Sequence, residues 1–324
     1  MLATAGISAG FNSIIKADGS EVSIGESIRI SNYEQQDAFK ISIFSKHLQW
    51  LGYNDMARVA ADMGFDGVDL TVRPNGHVLP ERVEEDLPRA VEAVRRTGKD
   101  VYMITTSVYD TEDPLSERVL KAASSLGIRH YRMGYAHYNN EISIEKNLAE
   151  IKLKLRSLAG LNEKYMISGE YQNHSGNYGS GVYFGSPIWD LASVLKDIGS
   201  PYLGAQYDVY HATVEGANAW TVGLKLISPY IRSIDIKDFQ WAKQNDKWSS
   251  ETVPLGDGMV DFQKYFGLLK EYKVNVPVSL HYEYPMGGAE HGDRELTIKK
   301  EEVTAYMKKD LLMLKKYLKE TNLI

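Results

Sequence analysis

The stretch RSIDIKDFQW, residues 232–241, begins as a buried strand and ends in charge, with Asp235, Lys237 and Asp238 where apolar residues should continue. Two carboxylates and an ammonium at such a place either form a solvated turn or hold a cation, move a proton or steady an anionic intermediate. The pattern recurs along the chain. DLTVRPNGHV offers Asp69, Arg73 and His77; RMGYAHY offers Arg132 and His137; SGEYQNHSG offers Glu170 and His174; QYDVYHA offers Asp208 and His211; SLHYEY offers His281 and Glu283. Any one of these reads equally well as a helix cap or a solvent-facing strand end. Side chains two apart on a strand share a face, which pairs Ser168 with Glu170, Asp235 with Lys237 and His281 with Glu283. If the carboxylates face one point, a divalent cation or raised pKa values must relieve their repulsion.

The elements that would carry these residues alternate. From residue 41, eight β-branched or aromatic runs (ISIFS, GVDLTV, DVYMITT, HYRMG, YMISGEYQ, LGAQYDV, IRSIDIKD and PVSLHYE) are separated by segments with apolar residues at three and four. That is the signature of repeated βα units. Gly98, Gly127 and Gly199 close helical patterns just before the next run, as C-caps do. Eight units without a central linker predict an α/β fold, a closed (β/α)8 TIM barrel forming a single domain over residues 39–324. Catalytic groups then belong at the carboxyl ends of the strands. An open doubly wound sheet is the alternative, but no run leads into a glycine-rich dinucleotide turn. The segment PLGDGM, residues 254–259, offers backbone N–H groups that could take an anion.

Composition narrows the chemistry. The 324 residues are 43% apolar and 25% charged, enough to bury a large core. A net charge of -6 gives no field for nucleic acid, and no apolar run is long enough to span a bilayer. With no cysteine, disulfides and thiolate sites are excluded, so a metal would be held by oxygen and imidazole. The tyrosines and tryptophans suit a sugar-stacking pocket and equally an ordinary core. Residues 1–38 read either as a remnant export signal lacking its basic start, which implies a periplasmic protein, or as an N-terminal arm of a cytoplasmic one.

Taken together, the eight strands, ADMGFDGVDLTVRP, GEYQNHSG, QYDVYHA, IKD, PLGDGMVDF and the strand-eight acid resemble the xylose-isomerase-like barrels that include sugar and sugar phosphate isomerases and epimerases. The resemblance covers residues 41–320. It implies one divalent metal (Mn2+, Mg2+ or Zn2+) on Glu, Asp, His and Glu from strands five to eight. Glu170 and Asp208 match the first two. Asp235 stands where the family has His, and His281 takes the usual Glu position with Glu283 two residues on. The metal set implied is Glu170, Asp208, Asp235 and His281, with His and acid exchanged between strands; a metal-free site in which Lys237 pairs with Asp235 is the competing reading.

The same resemblance implies proton abstraction beside a carbonyl, with Glu170 and either Glu283 or His281 as the acid-base pair and Lys237 against the enediolate oxygen. Arg73, His77, His174 and His211 would then bind a small-molecule sugar. Other readings of the site are a keto-glycoside lyase or hydratase, a non-catalytic carbohydrate-binding barrel, and a nuclease, which the low basic content disfavours. Whether the chain forms a homo-oligomer is left open.

Overall fold

The computed structural model of the chain describes residues 39–176 and 182–324. The expectation about residues 1–38 lies outside the described residues. Among the described residues ten strands occur in chain order: β1 (Ile41–Phe44), β2 (Gly67–Val72), β3 (Asp100–Thr106), β4 (His130–Arg132), β5 (Ser168–Gln172), β6 (Leu203–Asp208), β7 (Ile231–Ile236), β8 (Asp238–Gln244), β9 (Lys247–Val253) and β10 (Val278–Leu280). Eight of them, β1–β7 and β10, close a parallel barrel in the order β1-β10-β7-β6-β5-β4-β3-β2. The open doubly wound alternative is thereby set aside.

The helices are α1 (Tyr53–Met63), α2 (Val83–Arg95), α3 (Pro114–Ser125), α4 (Ile144–Tyr165), α5 (Ile188–Ile198), α6 (Val209–Gly216), α7 (Trp220–Ile227), α8 (Phe262–Glu271) and α9 (Lys300–Glu320). In α1 the buried Met56, Ala57, Ala60 and Met63 recur at three and four and turn one stripe to the sheet. Asp113 opens α3 by accepting from Leu115 N–H at 2.9 Å, with Pro114 pre-set for the first turn. Gly98, Gly127 and Gly199 all have left-handed φ where the chain leaves a helix.

Between β7 and α8 the structure has an antiparallel hairpin that strand counting did not anticipate. β8 and β9 pair from Asp238↔Val253 to Gln244↔Lys247. Asn245 and Asp246 both have positive φ, the geometry of a tight two-residue hairpin turn. The sequence signal was there, in the Asn-Asp dipeptide between two aromatic-containing runs.

Outward side chains such as Ile41, Ile43, Val68 and Leu70 are buried beneath the helices. The inner wall is unusually polar: Asp69, Glu170, Gln172, Asp208, Asp235 and His281 are all buried. Buried polar groups must be paired, and their bonds define the site.

Candidate active site

In a parallel barrel, inward side chains stack in layers drawn from alternate strands. Two bonds between β5 and β7 show the layers here. Glu170 accepts from Ser233 Oγ, whereas Gln172, two residues further along β5, donates through Nε2 to Asp235 Oδ2 at 2.6 Å, two residues further along β7. Glu170 therefore lies one layer below the mouth. Its other oxygen is taken by His130 Nδ1 at 2.6 Å.

Gln172 is the last residue of β5 as Asp208 is of β6, and the Gln172 amide joins the two strand-end acids. Nε2 also donates to Asp208 Oδ2 at 2.9 Å. Oε1 accepts from Arg132 Nη1 at 3.1 Å and from the Tyr135 hydroxyl, so donors on one side and carboxylates on the other fix the amide's orientation. Next to it, Asn173 brackets the Asp208 backbone, accepting from its N–H at 2.8 Å and donating to its carbonyl at 3.0 Å.

Lys237 sits among the remaining acceptors. Its Nζ lies 3.2 Å from Asp208 Oδ2 and 3.1 Å from Glu283 Oε2, and it donates to His211 Nε2 at 2.9 Å. Burial works against its charge, but Asp208 and Glu283 outweigh that and raise its pKa above the lysine range. His211, accepting at Nε2 and bonded through Nδ1 to Ser175 Oγ at 2.7 Å, is neutral; burial and the Lys237 charge depress it. Glu283 also meets Lys46 Nζ at 3.5 Å. Burial opposes its ionisation, yet Lys237 and Lys46 hold it well below the carboxylate range. Its side chain is 28% exposed, Lys46 19% and Lys237 1%, so Glu283 and Lys46 face the mouth while Lys237 underlies them.

The other acids are buried and less readily ionised. Burial lifts Asp235 to about 7, opposed by Arg132 and then Lys237, and Asp208 to about 6, opposed by Lys237. His281 Nε2 lies 3.1 Å from Ser279 Oγ and 3.4 Å from Asp235 Oδ1. Ser279 in turn donates to Asp69 at 2.7 Å. Burial, followed by Lys237, pushes His281 down to about 3, and its ring stacks on Phe44 at 4.4 Å.

The expected quartet Glu170, Asp208, Asp235 and His281 is not a cation shell in this arrangement. Glu170 is spent on His130 and Ser233, a layer away. An N–H donor, not an acceptor, stands between Asp208 and Asp235, and an ammonium occupies the point where Asp208, Glu283 and His211 converge. Among the described residues no group of three or more His, Asp or Glu side chains is disposed to hold a metal ion. A divalent metal does not fit this donor set. Nor does Lys237 bond Asp235, as the metal-free reading had it; its partners are Asp208 and Glu283.

Of the expected sugar-binding residues, His174 packs against His211 with ring centroids 3.9 Å apart and planes tilted by 36°, and Arg73 lies over Phe44 at 5.5 Å. His77 packs instead against Ser45 and Thr71 on the β1–β2 side. Asp238 is structural: it accepts from the backbone N–H groups of Phe239, Gly256, Gly258 and Val260. The PLGDGM amides at Gly256 and Gly258 are therefore spent on an internal carboxylate. Gln172, Tyr135 and Lys46 carried no role in the sequence reading. Comparing strand ends would have found Gln172; Lys46, in a 3-10 turn after β1, has no such signal.

Residues 57–317 match the model of the xylose isomerase-like TIM barrel family, and the chain belongs to that family. Among solved structures, it is similar to a xylose isomerase domain protein from Planctomyces limnophilus at 16% identity and TM-score 0.62, covering 88% of this chain and 99% of that one. A 3-keto-D-glucoside 4-epimerase from E. coli follows at 14% identity and TM-score 0.61, covering 86% and 99%. A probable 3-DHS dehydratase from Bacillus anthracis gives 14% and 0.61, covering 83% and 98%. At these identities the likeness is one of fold. A search of curated proteins returned no match. No helix among the described residues is long and apolar enough to cross a membrane.

Proposed function

We propose that the chain is a keto-sugar isomerase or epimerase that moves a proton on the carbon beside a carbonyl. The observation that carries this reading is Glu283, a carboxylate facing the barrel mouth between two ammonium groups, while Asp208, Asp235 and Glu170 are sealed beneath it. The similarity to a keto-glucoside epimerase supports the substrate class.

In this reading Glu283 takes the proton from the substrate carbon, and the electron pair moves onto the carbonyl oxygen. Lys46 lies beside that oxygen; burial lowers its pKa, which makes it the better proton donor to an enediolate. Lys237 supplies a fixed positive charge from below. A substrate that draws Lys46 away from Glu283 also raises the basicity of Glu283 at the moment it is needed. Return of the proton from Glu283 to the neighbouring carbon, with the hydroxyl proton there passing to Lys46, isomerises the sugar; epimerisation instead takes a proton from water on the opposite face while Glu283 keeps the one it removed. Glu170, placed in the acid-base pair by the sequence reading, has both oxygens engaged by His130 and Ser233 and takes no part in this reading.

The test is solvent exchange. Ketoses incubated with the protein in deuterated water should take up deuterium beside the carbonyl, and Glu283→Gln should slow uptake about 10²- to 10⁴-fold. A wild-type protein that binds ketoses without exchange would be a carbohydrate-binding barrel.

A further inference from the structure

The proposed chemistry leaves two cations unused. Arg73, at the end of β2, and Arg132, the last residue of β4, place their guanidinium carbons 5.5 and 5.6 Å from the centre of the same Phe44 ring. Arg132 also lies 5.3 Å from the Tyr135 ring centre. Among the described residues no carboxylate comes within ion-pair distance of either guanidinium. Arg132 is buried and gives Nη1 to Gln172, but its buried Nε has no hydrogen-bond partner among the described residues. Two guanidinium groups that share one apolar floor and have acids only at longer range, Asp235 for Arg132 and Asp69 and Glu283 for Arg73, are costly to leave without a direct ion pair in a protein of net charge -6 that has acids to spare.

From this geometry we infer that Arg73 and Arg132 bind an oxyanion on the substrate, a carboxylate or a phosphate, placed over Phe44 while the carbonyl end reaches Glu283 and Lys46. The planar fork of each guanidinium matches such a group, and Phe44 beneath them excludes water. Burial and the neighbouring Arg132 charge already depress Arg73 to about 10, a repulsion that an anion would relieve. The substrate class becomes an acidic keto-sugar: a sugar acid or a sugar phosphate.

This inference rests on the barrel mouth being the sugar site, and calorimetry on the full-length protein separates the two. Glucose, glucuronate, glucose 6-phosphate and inorganic phosphate would be titrated into wild type, Arg73→Met and Arg132→Met. At least one oxyanionic probe should bind about tenfold or more tighter than glucose, weaken with added salt, and lose about tenfold in either variant. Glucuronate winning identifies a carboxylate, and glucose 6-phosphate or phosphate winning identifies a phosphoryl group. Equal binding of neutral and anionic probes, or anion binding indifferent to a variant that keeps the wild-type circular dichroism, overturns the inference. Arg73 is part-exposed, so its variant keeps the test open should Arg132→Met fail to fold. Anion binding without exchange in deuterated water would sink the isomerase reading alone; exchange restricted to neutral ketoses would sink this one alone.

Discussion

Gln172 does with an amide what a cation would do in a more acidic site: it puts positive N–H dipole between Asp208 and Asp235. Gln172→Glu should remove that donor and add a third carboxylate at the same point. The expected cost is about 3 kcal/mol, read as a lower midpoint in urea unfolding. Millimolar Mn2+ should recover part of it in the variant and leave wild type unmoved, because only the variant puts three carboxylates together with no amide donor between Asp208 and Asp235. Manganese stabilising wild type equally would mean that a metal does enter the native site. The neighbouring Lys237→Met exchange should leave Glu283 with a single cationic partner and raise its pKa, shifting the acid limb of any pH–rate profile upward.

At the scale of elements, the loop from Pro254 to Val260 is organised by one side chain. Asp238 accepts four backbone N–H groups, and Gly258 is packed so closely that an added Cβ would lie 2.3 Å from Asp238 Oδ1. Asp238→Ala should cost about 2–4 kcal/mol by stranding the buried N–H groups of Phe239 and Val260 and releasing the part-buried bonds to Gly256 and Gly258. Hydrogen exchange should rise at Gly256, Gly258 and Val260 and stay unchanged in β5 and β6. Protection that survives at those amides would show that the loop is held by something else. The hairpin β8–β9 grows from the same residue, so the second acid of the IKD run anchors an insertion while the Lys before it serves the mouth.

For the whole molecule, the buried acids should set how stability depends on pH. Asp235 titrates at about 7 in the folded chain against 3.8 when exposed, and Asp208 at about 6, both because burial disfavours their charge. The folded state then holds protons that the unfolded state has released. This contribution is full below about pH 3.8 and is lost as pH rises toward 7. Glu283 acts in the opposite sense: its stabilisation is present above 4.5 and fades as pH falls. Asp235→Asn keeps an acceptor for Gln172 and removes the titration. Its melting temperature should gain on wild type between pH 5 and pH 8, and parallel curves for the two proteins would contradict the buried-proton account.

Local pattern was enough for the barrel. Period-3.6 helices such as α1, short β-branched runs and left-handed glycines at 98, 127 and 199 are consequences of neighbouring residues, and eight repeats of them leave a closed sheet as the economical way to bury every apolar face. The crowding of Asp208, Asp235, Lys237, His281 and Glu283 at strand ends was legible for the same reason. Which of them touch was not. A two-residue difference along β5 separates Glu170 from Gln172, and only the stagger between strands decides that Glu170 meets Ser233 while Gln172 meets Asp235. Lys46 and the pair Arg73 and Arg132 over Phe44 come together from the ends of β1, β2 and β4 across gaps in sequence that no motif spans. Residue types at strand ends determined that the mouth would be charged; closure of the barrel decided which charges pair directly and which do not, because pairing depends on layer and distance rather than on order in the chain.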